Sequence, residues 1–483
     1  MLFNSLSFAL FFIIVFILYW FVFGRNVKLQ NIFLLISSYF FYSFWDWRFL
    51  SLLIFTSLVS FALGNQIGKS GNIKTKRTFL YFGIIISLGV LFYFKYFNFF
   101  VASFISLFSR FGFNLDIHTL NIILPLGISF YTFRIISYLI DVHRGKITPA
   151  NDWVNYFLFV AFFPSLISGP IDKAGMLIPQ LEKKRVFNGD EGVDGLRQIL
   201  WGLFKKTVIA DNCASITNPV FDNFHHLPAS TILIGIFLYT IQIYADFSGY
   251  SDMAIGTARL LGLNITRNFD FPFFAQNIAE FWRKWHISLT SWLTEYVFTP
   301  LSISFRDYGK AGLVLAILIN FTLIGIWHGA NWTFVLFGFL HGCYYVPLII
   351  SGSLNKRKKL TKGEFFPSLS EFIKIAGTFL LVMFTFVIFR SDTIGQAFAL
   401  YRSLFSRSIL SSPVFDAANV VEHTFIFIVF LFIIEWIGRD GQYALSDIGK
   451  KWHPAVRWSF YYATLILVFL FAGSDQQFIY FQF

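Results

Sequence analysis

The chain has 483 residues, of which 56% are hydrophobic and 13% charged, and its mean hydropathy is +0.64. A soluble domain carries about 25% charged residues, so the composition excludes one. Apolar runs recur along nearly the whole length, which excludes a soluble protein with a single anchor.

The first apolar run, residues 6–23, has no basic residue before it and no small-residue cleavage site, so it reads as a retained span rather than a signal peptide. Further runs fall at 32–44, 50–63, 79–94, 97–108, 120–140, 154–168, 199–210, 232–244, 312–327, 332–350, 372–389, 424–437 and 458–471. Several are too short to cross alone. Together they predict an all-α polytopic membrane fold with about 11–13 transmembrane or re-entrant helices. The net charge of +12 sits in short loops between the runs. That is the distribution of cytoplasmic loops, so membrane lipid is the expected surrounding and nucleic acid is not an expected partner. Arg25 and Lys28 follow the first run, and KSGNIKTKR (69–77) follows two crossings later. Their basic residues place both loops in the cytoplasm and predict an N-terminus outside. NKRKKLTKGE (355–364) is expected on the same side, and FWDWRF (44–49) suits the water–lipid interface. The many phenylalanines suit lipid contact and are assigned no chemistry.

No fixed-period repeat or low-complexity linker is visible, so a single domain over 1–483 is expected. From Pro164 to about Pro300 the runs shorten and polar residues enter, in SGPID (168–172), QIYADFSGYSDMAIG (242–256) and NIAEFWRKWHISLTSWL (277–293). Irregular polar backbone at membrane depth survives only when buried in protein or lining a wet cavity. Residues 164–350 are therefore expected to be a catalytic middle with re-entrant segments. Spans in 1–163 form a wall for it, and spans in 351–483 follow.

Cys213 and Cys343 lie in different segments, and no Cys/His ligand set occurs, so no metal is expected. Six of the nine histidines (118, 143, 225, 226, 423 and 453) sit in loop-like or segment-end contexts and are expected to be solvated or interfacial. His328 ends an apolar run. Burial disfavours the imidazolium, and a neutral imidazole is able to accept a proton as a general base. Gly325 and Gly329 flank it and are expected to leave room for a substrate. Asn331 is expected to hold the ring in one tautomer if the segment is helical. His341 is too far round a helix to share a ligand with His328 and is expected to be structural. His286 follows EFWRKW, in which Glu280 is placed to pair with Arg283 or Lys284. Trp282 and Trp285 would mark an interface there, or a cationic, aromatic entrance for an anionic thioester donor. Asp246, Ser248 and Asp252 in ADFSGYSD either line a substrate cavity or cap a helix break; their spacing is not that of a serine-hydrolase elbow. No P-loop, zincin or dinucleotide motif is present.

LPLGISFYTF (124–133), GYSDMAIGTARLLG (249–262), NIAEFWRKWHISLTSWL, GIWHGANWTFVLFGFLHG (325–342) and FIYFQF (478–483) occur in this order. Together they resemble the membrane-bound O-acyltransferase family, in particular its bacterial alginate O-acetyltransferase-like branch, with the D-alanyl transferases of teichoic acid as relatives. The likeness covers most of the chain, and the paired WHIS and WHGA elements carry it most specifically. The resemblance implies helices around a central tunnel in a bacterial cytoplasmic membrane. A thioester donor, acetyl-CoA or an acyl carrier, would enter from the cytoplasm, and a polysaccharide hydroxyl would accept the acyl group from the other side. It implies His328 as the catalytic base and His286 as the second motif histidine, with Trp285, Trp327, Asn331, Asp246 and Ser248 in support. An exported acyltransferase or an acyl carrier protein is an implied partner. Relatives often read closer to RDYLYIPLGG after the SW of 291–292, whereas this chain reads LTEYVFTPLSISFRDYGK, without the Gly-Gly turn. The local loop and the acceptor therefore stay open. The alternatives are D-alanyl transfer to teichoic acid and a non-enzymatic glycan or lipid transporter; the hydropathy shows no inverted halves of the kind common in transporters.

Overall fold

A computed structural model describes residues 1–113, 119–354, 366–415, 418–450, 452–474 and 476–479. His118, the basic loop 355–364 and the last four residues of FIYFQF lie outside the described residues. Among those described, the secondary structure is helical throughout. Eight helices are long and apolar enough to cross a membrane: Arg48–Lys69, Ile73–Ser109, Ala229–Leu260, Arg306–His328, Trp332–Ile350, Leu369–Arg390, Asn419–Ile437 and Pro454–Phe471. The chain is thus a multi-pass membrane protein, and the other apolar runs form shorter or interrupted helices.

Several runs differ from their sequence reading for local reasons. The runs 79–94 and 97–108 join into one stretch, Ile73–Ser109, because Lys95 and Tyr96 fall in a wide helical turn rather than a loop. The run 120–140 becomes helical only at Ile128. Pro125 removes a backbone donor, and Gly127 takes a left-handed conformation (φ 73°) that a residue with a Cβ adopts at a cost. The polar run ADFSGYSD, read as a possible helix break, lies inside the unbroken 32-residue helix Ala229–Leu260.

The chain divides into two compact units, residues 1–196 with 254–266, and residues 197–253 with 267–483. In the first, the run 154–168 breaks at Phe162 into Trp153–Ala161 and Phe163–Leu166, with Pro164 in the first turn of the second piece. A break leaves carbonyls without helical donors, which is costly away from water. Arg134, fully buried, supplies donors: its Nη1 reaches the carbonyls of Phe159 and Val160 at 3.3 Å, and its Nη2 those of Ser165 at 2.6 Å and Pro170 at 3.0 Å. Asp172, also buried, balances the guanidinium at 3.9 Å. It accepts in turn from the Thr266 amide at 2.8 Å and hydroxyl at 2.9 Å. The polar SGPID stretch is held by this hub.

Candidate active site

The second unit contains all seven residues singled out as a site. His328 is the last residue of helix Gly309–His328, and Trp332–Ile350 returns beside it. The two helices touch backbone to backbone. A Cβ at Gly338 would lie 2.2 Å from the Phe321 carbonyl oxygen, and one at Gly325 would lie 2.1 Å from that of Phe334. Small residues permit this approach in a membrane bundle. A Cβ at Gly329 would meet the Phe334 ring at 2.3 Å. Gly325 and Gly329 are therefore filled by protein and do not provide the expected room for a substrate. Asn331 also departs from expectation. The helix ends at His328, Gly329 is extended, and Asn331 is the N-cap of the next helix. Its Oδ1 accepts from the Thr333 amide at 3.1 Å, and its Nδ2 donates to the Asp392 carbonyl at 2.8 Å. It anchors the turn after His328 and has no helical register with the imidazole.

The segment 277–293 is two short helices, Ile278–Lys284 and Ile287–Leu293. They are broken at Trp285 and His286. His286 has a left-handed backbone (φ 44°, ψ 54°), which costs an L-residue with a Cβ roughly 1–2 kcal/mol. Such a conformation persists where its surroundings over-determine it. Glu280 pairs with Lys284 at 3.1 Å, one of the two partners foreseen, and Arg283 donates to the Leu354 carbonyl at 2.8 Å. Trp282 and Trp285 are buried, not placed at an interface. Trp285 lies among Tyr244, Phe269, Phe273, Phe281 and Phe386, with ring centroids 5.1–6.2 Å away.

His286 and His328 are both buried, with 0% and 4% of their surface exposed, and Trp327 joins them. Its ring centroid is 5.5 Å from that of His286 and 5.1 Å from that of His328, edge to face in both cases. Phe247 covers the His286 ring at 4.6 Å, and Phe389 covers the His328 ring at 5.2 Å. His341 lies on the far side of Phe337, and its Nδ1 accepts from the Trp282 indole N–H at 3.2 Å. That bond gives it the structural role expected.

Asp246, Ser248 and Asp252 lie against two lysines that the sequence reading passed over. Lys205 Nζ is 2.9 Å from Ser248 Oγ and 2.6 Å from Asp252 Oδ2. Lys206 Nζ is 2.9 Å from Asp246 Oδ1 and 2.8 Å from Asp211 Oδ1. The Asp246 Oδ2 accepts from the Ile479 amide at 2.8 Å. Glu435, also passed over, takes the Tyr244 hydroxyl on both oxygens at 2.8 Å. Each buried lysine is thus paired with at least one carboxylate, as a charge away from water requires. The signal was present as KK inside the apolar run 199–210, where an ionisable residue calls for a partner. Among the described residues no three His, Cys, Asp or Glu side chains form a metal-binding group.

Among the described residues the chain is an all-helical, multi-pass membrane protein that shields two histidines within an aromatic cluster. Residues 39–389 match the model of the membrane-bound O-acyltransferase family, and the chain belongs to that family. It is 36% identical over 425 residues to the "Probable alginate O-acetylase AlgI" of Pseudomonas aeruginosa, covering 87% of this chain and 78% of the relative. It is 29% identical over 540 aligned positions to the "Peptidoglycan O-acetyltransferase" of Helicobacter pylori, covering 100% and 98%. To the "Teichoic acid D-alanyltransferase" of Streptococcus thermophilus it is 30% identical, covering 55% of this chain and 68% of the relative. The protein is an acyltransferase of the membrane.

Proposed function

We propose that the protein transfers an acetyl group from a cytoplasmic thioester donor toward hydroxyls of an exported polysaccharide, with His328 as general base. The observation that carries this reading is the sheltered pair of motif histidines sharing the Trp327 ring. In the step proposed, a His328 ring nitrogen takes the proton of the acceptor hydroxyl as its oxygen attacks the thioester carbonyl. The C–S bond breaks, the ester C–O bond forms, and the imidazolium returns the proton to the leaving thiolate. The donor is already activated, so no protein nucleophile is needed. His286 holds the substrates against the base, and exclusion of water protects the thioester from hydrolysis. Acetyl is favoured over D-alanyl because the relatives named for acetyl transfer cover 87% and 100% of this chain, against 55% for the D-alanyl relative. The reading includes a bacterial cytoplasmic membrane, an N-terminus outside, and an exported acyltransferase or acyl carrier protein as partner. Mass spectrometry of the host's surface polysaccharide, with and without this protein, tests it. Loss of ester-linked acetate is expected. Loss of D-alanine, or unchanged esters, would overturn it.

A further inference from the structure

We infer that Asn268 is a positioning residue for His286, holding the imidazole in place by enforcing the left-handed backbone beneath it. The inference rests on the reading of His286 as part of the site. Asn268 is fully buried and lies eighteen residues before His286 in the chain, outside every motif that the sequence reading used. Its backbone carbonyl accepts from the Ile287 amide at 2.8 Å. Its side-chain Oδ1 accepts from the Ser288 amide at 3.3 Å and the Ser288 hydroxyl at 2.6 Å. Its Nδ2 donates to Ser251 Oγ at 3.1 Å, which ties it to the long helix Ala229–Leu260. Two residues on, the Asp270 amide donates to the Lys284 carbonyl at 2.9 Å, on the other side of the kink.

The residues before and after His286 are thus clamped to the one short stretch 268–270. The first amides of helix Ile287–Leu293 have no donor-accepting turn before them, because that turn is unwound at His286. Asn268 supplies the missing acceptors from outside the helix. With them in place His286 has no regular helical alternative, so a conformation that L-residues avoid is the one occupied. The imidazole is then directed to Trp327 and Phe247. Removing the side-chain acceptor takes away its bonds to the Ser288 amide and hydroxyl and leaves only the main-chain bond to Ile287, which lets the two short helices relax toward one another and turns the ring away.

The test measures the rate of ester formation on the host's polysaccharide in a deletion strain complemented with full-length variants. Asn268→Leu keeps the volume and removes both polar ends; ester formation is expected to fall about tenfold or more. Asn268→Asp keeps the acceptor oxygens, with the Ser251 hydroxyl turning round to donate, and is expected to stay within about threefold of wild type. The distinguishing readout is the double variant. In a His286→Ala background, Asn268→Leu should cost nothing further, because it acts only through the imidazole. An equal fold-loss in both backgrounds would overturn the inference, as would an Asn268→Leu variant of wild-type rate. If Asn268→Leu does not accumulate in the membrane, Ser288→Ala removes one of the same bonds and enters the same comparison. A fully active His286→Ala would instead overturn the reading of His286 as part of the site.

Discussion

Gly338→Ala places a methyl group into the seam between the two helices that carry the histidine turn. The new Cβ would sit 2.2 Å from the Phe321 carbonyl oxygen and 2.9 Å from the Gly325 nitrogen. Both obstacles are backbone, so no side chain is able to swing aside. Ordinary contact begins near 3.4 Å, and restoring it requires the helices to part by roughly 1 Å. Overpacking of this kind costs about 1–3 kcal/mol, which lowers the melting temperature without preventing insertion. The consequence for chemistry is larger. His328 follows Gly325 by less than one turn on the same helix, so the separation is passed to the imidazole. A displacement of about 1 Å in a positioned group costs on the order of 100-fold in rate. The assay is ester formation by variant protein at matched membrane levels, with thermal unfolding of the purified protein in detergent. Gly377→Ala is the control, since a Cβ there meets nothing within 4 Å; it should leave the rate unchanged. A Gly338→Ala protein working at the wild-type rate would refute the claim that this seam sets the position of His328.

Asn331→Ala should destabilise the protein by about 1 kcal/mol through loss of the helix cap, seen as a lower melting temperature. Ester formation should fall only a few-fold, because Asn331 anchors the turn and does not orient the ring. Arg134→Met leaves the carbonyls at the 159–170 break and the Asp172 carboxylate without their cation. A loss of about 3–5 kcal/mol should appear as little folded protein after mild heating. Arg134→Lys should recover little of it, since an ammonium does not reproduce the guanidinium fork. Trp282→Phe removes the donor to His341 and should cost about 1 kcal/mol, with the acylation rate kept within about twofold. A collapse in rate without a loss of stability would show that His341 is more than structural.

The spans were legible because lipid demands long apolar helices; His328 stood out because an imidazole at the end of an apolar run is conspicuous, and His286 stood out through the resemblance of its WHIS element. What escaped the sequence was pairing across distance. Lys205 meets Ser248 and Asp252 on a different helix, and Asp246 meets both Lys206 and the Ile479 amide, 233 residues away. Helical periodicity names neighbours three and four residues apart and is silent on such partners. The same blindness affected Gly325, Trp285 and Asn331. A glycine beside a histidine suggests open space, yet its neighbour is the backbone of another helix. A tryptophan beside basic residues suggests an interface, yet Trp285 is enclosed by rings from four other segments. Asn331 was read at helical spacing from His328, but the helix stops between them. The break at His286 was not legible for a related reason: Asn268, whose carbonyl and side chain bond Ile287 and Ser288, lies outside the segment.

The central claim is that a neutral imidazole at position 328 removes the acceptor's proton. It is tested most directly by comparing His328→Ala with wild-type protein, at equal membrane insertion and equal thermal stability, for the initial rate of ester formation. General-base catalysis contributes about 10²- to 10⁴-fold, so the variant should lose activity on that scale with its melting temperature preserved. A stable, correctly inserted His328→Ala protein that acylates at the wild-type rate would contradict the account.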